Sequence, residues 1–238
     1  MSRIAAICRK EFRSFWYSPI AYIVLIVFLV VMTWLFFLGF YLRNNATLVG
    51  LFGFLPAVFI FVIPALTMHQ WAEERKSGTL ETLMTKPVRE WEVVLGKYLA
   101  SAGLIAILLL LTLPLAFTVA KLSQNGLDWG VALSSYAGAF LLGLAYLAIG
   151  SWASSLTTNQ IVAFILGVAI IFAGWIVGQL GQIAPSFLVL LFNYLGLGNH
   201  FGSISRGVID SRDLIYYASV VFLFLFLTVR SVESRKWS

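Results

Sequence analysis

WAEERKSGTLETLMTKPVREWE, residues 71–92, concentrates charge in a chain that elsewhere has little of it. Hydrophobic residues make up 61% of the sequence, aromatic residues 16% and charged residues only 11%, with a mean hydropathy of +0.93. Soluble domains carry roughly a quarter charged residues, so this balance belongs to an integral membrane protein. The 238 residues suffice for six spans of about 20 residues with short connections, and leave no room for a sizeable soluble domain. A net charge of +6 fits basic residues flanking the spans on the cytoplasmic side better than it fits a nucleic-acid partner. Cys8 is the single cysteine, which excludes an intrachain disulfide and a cysteine-based metal cluster.

Outward from the charged patch, the expected fold is all-α, with transmembrane helices at 20–42, 51–71, 93–120, 131–156, 160–181 and 213–230. In residues 1–18, Ile4, Ile7, Cys8, Phe12, Phe15 and Trp16 recur at helical spacing, while Arg3, Arg9, Lys10 and Arg13 fall on the other face. This is an amphipathic elbow helix lying on the membrane surface, ended by Pro19. The run that follows, Ile20 to Leu42, is too long for a signal peptide and has no small-residue cleavage site. Pro114 predicts a kink in the long third span, and Pro56 and Pro64 bend or shape the second. In the outer segment, 183–212, the apolar stretch Phe187 to Leu197 is too short to cross and predicts a re-entrant or interfacial helical pair. Twelve of the sixteen Lys and Arg residues fall on the side of both termini and of segment 72–90, which places the termini in the cytoplasm.

Inside the patch, Glu73, Glu74, Arg75 and Lys76 continue the second helix into water, and Gly78 is suited to stop it. Thr79 caps a short new helix, on which Leu80, Leu83 and Met84 form an apolar ridge before Pro87 ends it. Glu90 and Glu92 then sit where the dipole of the third helix favours negative charge. The ridge is offered either to a cytoplasmic protein or, more blandly, to the lipid surface.

These residues resemble a family. EERKSGTLETLMTKPV followed by EWEVVLGKYL is similar to the coupling segment of ABC-2-type ABC transporter permeases. SSLTTNQIVAFI at 154–165 and GNHFGSISRGVIDSRDLIYY at 198–217 resemble the gliding-motility-type subfamily, and the likeness runs from RKEFRSFWYSPIAYI to the basic tail. Arg89 stands where Ser or Thr is more usual, and Thr158 where an acidic residue often stands. The resemblance implies a coupling helix in segment 72–90 that enters a cleft of an ABC ATPase subunit. Its contact would be the ridge Leu80, Leu83 and Met84, with Glu73, Glu74, Arg75, Glu81 and Arg89 at the polar rim and Gly78, Thr79 and Pro87 shaping the turn. It further implies two ATPase copies, which bind the ATP and Mg, and a second permease copy in a homodimer, with no cofactor in this chain. The setting is the bacterial inner membrane, among membrane lipids, with an extracytoplasmic gliding-type partner. The chain has no phosphate loop of its own: Gly96 and Lys97 lack the preceding glycine, because Trp91 holds that place, and Tyr98 replaces the Ser or Thr.

On the outer side, His200, Arg206, Asp210, Arg212 and Asp213 cluster where they would gate an exit or contact a partner, or else serve as interfacial anchors and ion pairs. His200 with Asp210 does not make a closed metal site. No ionisable residue is expected near the midplane, which argues against an ion-driven carrier and an intramembrane protease. Thr33, Ser101, Thr112, Ser134, Ser135, Tyr136, Tyr146 and Ser151 are the mildly polar residues there, and helix-to-helix hydrogen bonding accounts for most of them. Gly174 and Gly178 form a small-residue face for helix packing, within the chain or against the second copy. The expected function is a permease subunit of an ATP-driven exporter, not itself an enzyme. The alternative is a mechanotransmitting anchor that relays ATPase motion to an extracytoplasmic partner.

Overall fold

The computed structural model describes residues 3–43, 48–79, 89–122, 128–181 and 185–234, and among these all regular structure is helical. The order is α1 (Arg3–Tyr17), α2 (Pro19–Arg43), α3 (Leu48–Lys76), α4 (Glu90–Leu111), α5 (Leu113–Leu122), α6 (Trp129–Leu156), α7 (Gln160–Leu180), α8 (Ser186–Leu195), α9 (Leu197–Ile204) and α10 (Ser211–Glu233). Six crossings are long and apolar enough to span a membrane: α2, α3, α4 with α5, α6, α7 and α10. An even number of crossings returns the chain to its starting side, so α1, the turn between α3 and α4, and the end of α10 share one side.

The third crossing is broken where Pro114 predicts it. Proline has no N–H for the carbonyl of Leu110, and the turn before it tightens. The N–H of Thr112 donates to the Leu109 carbonyl at 3.1 Å, and its hydroxyl donates to the same oxygen at 2.7 Å. The crossing starts at Glu90 rather than residue 93, with Arg89 as its N-cap. An arginine side chain has no acceptor, so the cap is one-sided: Glu92 Oε2 accepts from the Arg89 N–H at 2.9 Å.

At the centre lie α3 and α6, with 61% and 67% of their span windows buried, against 22% in α7 and α10 and 28% in α2. In lipid, apolar surface gains little by leaving one hydrocarbon for another, so helix association rests on close packing and hydrogen bonds. Glycines on α6 provide the close approach. A Cβ on Gly143 would meet Ile105 and Phe59, one on Gly138 would meet Ile204, and one on Gly150 would lie within 2.3 Å of Thr67 Oγ1. Phe28 stacks on Phe59 at 5.8 Å, and Phe52 meets Tyr136 edge-on at 5.0 Å.

The amphipathic α1 is docked on protein as well as facing the surface. Gly96 and Gly103 of α4 face Ile7 and Phe12, Phe15 is buried, and Arg9, Lys10 and Arg13 stay exposed. Local polar partners absorb most of the mildly polar span residues. Ser134 and Ser135 donate to the Val131 carbonyl, Ser135 also reaches Ser205 O, and Thr112 pairs with Tyr136.

Candidate functional site

The site lies where α3 ends and α4 begins, because these two helices carry the charged patch between them. α3 runs on through Glu73–Lys76 as the pattern of charges suggests, and Gly78 takes φ +70, a left-handed turn closed by its N–H to Arg75 O at 3.3 Å. Thr79 Oγ1 donates back to Glu74 O at 3.3 Å and pairs with Ser77 Oγ at 2.9 Å. Leu80, Glu81, Leu83, Met84 and Pro87, the proposed ridge and its end, lie outside the described residues. Their flanks are described, and those flanks are locked together.

The lock is Lys97 of α4, only 3% exposed. Its Nζ donates to Glu74 Oε1 at 2.7 Å and to the Gln70 carbonyl at 3.0 Å, and lies 3.6 Å from Glu11 Oε2 of α1. The ammonium also sits 5.1 Å from the ring centroid of Trp71. Gln70 Nε2 donates to Ser101 Oγ one turn further into α4. A buried ammonium is tolerated only with acceptors of this kind around it, and here α1 and α3 supply them to α4.

A second lock holds α3 to α6. Trp71 is fully buried and its Nε1 donates to Ser151 Oγ at 3.0 Å. Ser154 Oγ donates to Met68 O at 3.0 Å and accepts from the N–H groups of Trp71 and Ala72 at 3.2 and 3.3 Å. Beneath them Trp71, Val93, Val94 and Val232 form a small apolar cluster, and Ser231 of α10 donates to Ser155 O at 3.1 Å. The end of α3 and the start of α4 are therefore rooted in α1, α6 and α10. Of the rim residues, Glu73 and Arg89 are exposed, Arg75 is half-buried, and Glu74 is spent on Lys97. Burial pushes the Cys8 thiol on α1 up from its ordinary pKa, which suits an inert packing residue.

Gln70, Trp71, Lys97 and Ser154 carry no site role in the sequence pattern, although Trp71, Lys97 and Ser154 lie within the stretches quoted above. The available signals were weak: Gln70 and Glu74 one helical turn apart, Ser151 and Ser154 three apart, and a lysine near a span end. None of them says which helices meet.

On the opposite side the five clustered residues divide. His200 and Asp213 are buried at 8% and 7% exposure and face each other rather than the outside. His200 Nδ1 lies 2.6 Å from Asp213 Oδ1 and Nε2 lies 2.8 Å from the Tyr194 carbonyl. A carbonyl only accepts, so Nε2–H donates to it, while Nδ1 is hydrogen-bonded to the carboxyl. The imidazole stacks on Tyr216 at 4.0 Å, and Tyr216 and Tyr217 donate to Leu195 O and Leu197 O at 2.7 and 2.9 Å. Asp210 is a helix cap, accepting from the Arg212 N–H at 2.9 Å, and Arg206 and Arg212 are exposed. His200 and Asp213 thus clamp α8 and α9 onto α10, because an unpaired carboxyl buried there would be costly. Among the described residues no group of three metal-ligating side chains occurs. Gly174 and Gly178 face Leu197, Gly196 and Asn199 of the same chain, so α9 and the turn before it occupy this face of α7.

No curated protein matches the sequence. The model of the family described as ABC-2 family transporter protein matches residues 5–193, from within α1 to within α8, and the chain, a multi-pass membrane protein, belongs to that family.

Proposed function

We propose that this chain is the membrane permease subunit of an ATP-driven ABC-2 exporter, working as a homodimer with two copies of a separate ABC ATPase that binds the ATP and Mg. The termini and the turn between α3 and α4 are cytoplasmic in the bacterial inner membrane, and Leu80, Leu83 and Met84 form the ridge seated in the ATPase. One observation carries this reading: Lys97 ties the last turn of α3, the first turns of α4 and the surface helix α1 to a single point. A push on the intervening turn then moves whole helices rather than bending a loop, as rigid-body coupling requires. The exposed Arg206 and Arg212, set beside the clamped outer helices, suit the second reading, in which the motion is relayed to an extracytoplasmic gliding-type partner.

The test is Leu83→Asp, with co-purification of the ATPase as readout. Loss of the ATPase with normal membrane insertion is expected, and undiminished co-purification refutes the coupling role. In proteoliposomes, ATP-dependent movement of a lipophilic cargo supports export. Stimulated hydrolysis with no cargo moved in either leaflet supports the relay.

A further inference from the structure

A cavity of about 430 Å³ opens between α1, the end of α3 and the start of α4. Its floor is Gln70, Glu74 and Lys97, its wall includes His69 and Phe15, and Glu73, Lys10 and Ser14 also line it. Lys97 is no anion site, since its N–H groups are already directed at Gln70 O, Glu74 and Glu11. His69 Nδ1 has no partner and donates or accepts with its tautomer; the other unused valences of the described lining are acceptors. Gln70, only 5% exposed, has no partner for Oε1, and the buried Oε2 of Glu74 has none either. Glu73 is exposed and has no cationic partner among the described residues. With three carboxylates against two lysines among the described residues, the lining asks for a ligand that donates hydrogen bonds and carries positive charge.

Beside it a second depression, of about 520 Å³, is lined by Ala6, Arg9, Lys10, Arg13, Ser14 and Tyr17. The two share Lys10, Ser14 and Tyr17, so an acidic pocket adjoins a basic groove suited to a phosphate. Only Ser18 separates α1 from α2, which puts this pair of depressions where a span leaves the bilayer. Tyr17 is 87% exposed there, and the Tyr22 hydroxyl donates to Trp16 O, as expected at headgroup level.

We propose that this double depression is a binding site for the headgroup of an aminophospholipid. The primary ammonium enters the acidic cavity, and the phosphate rests on Lys10, Arg9 and Arg13. The site shares Glu73 and Glu74 with the rim of the proposed ATPase contact, but it is tested on the full chain without the ATPase, so its failure is distinguishable from failure of the coupling role.

The test measures lipid retention by delipidated full-length protein, by native mass spectrometry and by melting temperature in bilayers of defined composition. Phosphatidylethanolamine is expected to be retained at least tenfold better than phosphatidylcholine, whose trimethylammonium has no N–H to donate. Glu73→Gln, at an exposed position, is expected to weaken phosphatidylethanolamine retention roughly tenfold, the loss of one charge-assisted contact, without changing the melt of the lipid-free protein. Equal retention of the two lipids overturns the proposal, as does tighter retention of phosphatidylglycerol, which would mean that only phosphate is read. Free phosphoethanolamine competing as well as the lipid also overturns it, in favour of a soluble ligand.

Discussion

Replacing Lys97 by Met keeps the length and packing of the stem and removes only the ammonium. Two hydrogen bonds vanish, at 2.7 and 3.0 Å, along with the 3.6 Å ion contact to Glu11. Stripping one partner from a fully buried ion pair costs about 3–5 kcal/mol, mostly because the other charge is stranded. Lys10 stays 3.5 Å from Glu11 Oε1, so Glu74 alone loses its cation, and its side chain keeps 21% of its exposure, so water partly rescues it. The expected loss is about 2–3 kcal/mol, below the fully buried case and above an exposed pair. Adding Glu74→Gln removes the stranded charge and is expected to recover most of the loss. The assay is equilibrium unfolding of purified protein in mixed micelles with rising dodecyl sulfate, followed by circular dichroism. A Lys97→Met protein that unfolds within about 0.5 kcal/mol of the parent, the range of an ordinary surface change, refutes Lys97 as the point that joins three helices.

Three further perturbations probe the packing. Gly150→Ala is expected to destabilise by about 1–3 kcal/mol, because its Cβ would lie within 2.3 Å of Thr67 Oγ1, and Thr67→Ala in the same chain is expected to restore most of that in the same unfolding assay. Gly196→Ala has no such remedy, since its Cβ would meet the Gly178 backbone at 2.4 Å; α8 and α9 are expected to undock, read as faster proteolysis near residues 196–210. His200→Leu strands the buried Asp213 and is expected to cost about 2–4 kcal/mol, much of it relieved by Asp213→Asn, which can stay neutral; a His200→Leu protein of parental stability would show that the pair does not clamp α8 and α9.

The gap between sequence and structure is instructive at particular residues. Pro114 announces the break at Thr112, and Gly78 the end of α3, because both act through the backbone of their own turn. The amphipathic pattern of residues 3–17 is likewise local, and α1 forms there. The same pattern does not say that Ile7 and Phe12 find glycines on α4. Sequence proximity makes the charged residues of 200–213 one surface group of five, yet His200 and Asp213 turn inward while Asp210 caps a helix. Which of five polar neighbours faces protein depends on how α9 is rotated against α10, and that is not written in the five residues themselves.

By itself the sequence determined the class and the crossings: hydropathy over some twenty residues decides whether a helix sits in lipid, and that is a sum over neighbours in the chain. Only the tertiary structure decided that Lys97, Gln70, Glu74 and Glu11 meet, and that the ammonium is buried instead of trailing into water. Those partners are separated by many residues, and their meeting is set by how closely α1, α3 and α4 approach. In lipid that approach is governed by where small residues let backbones touch, a property of pairs of helices and not of any one of them.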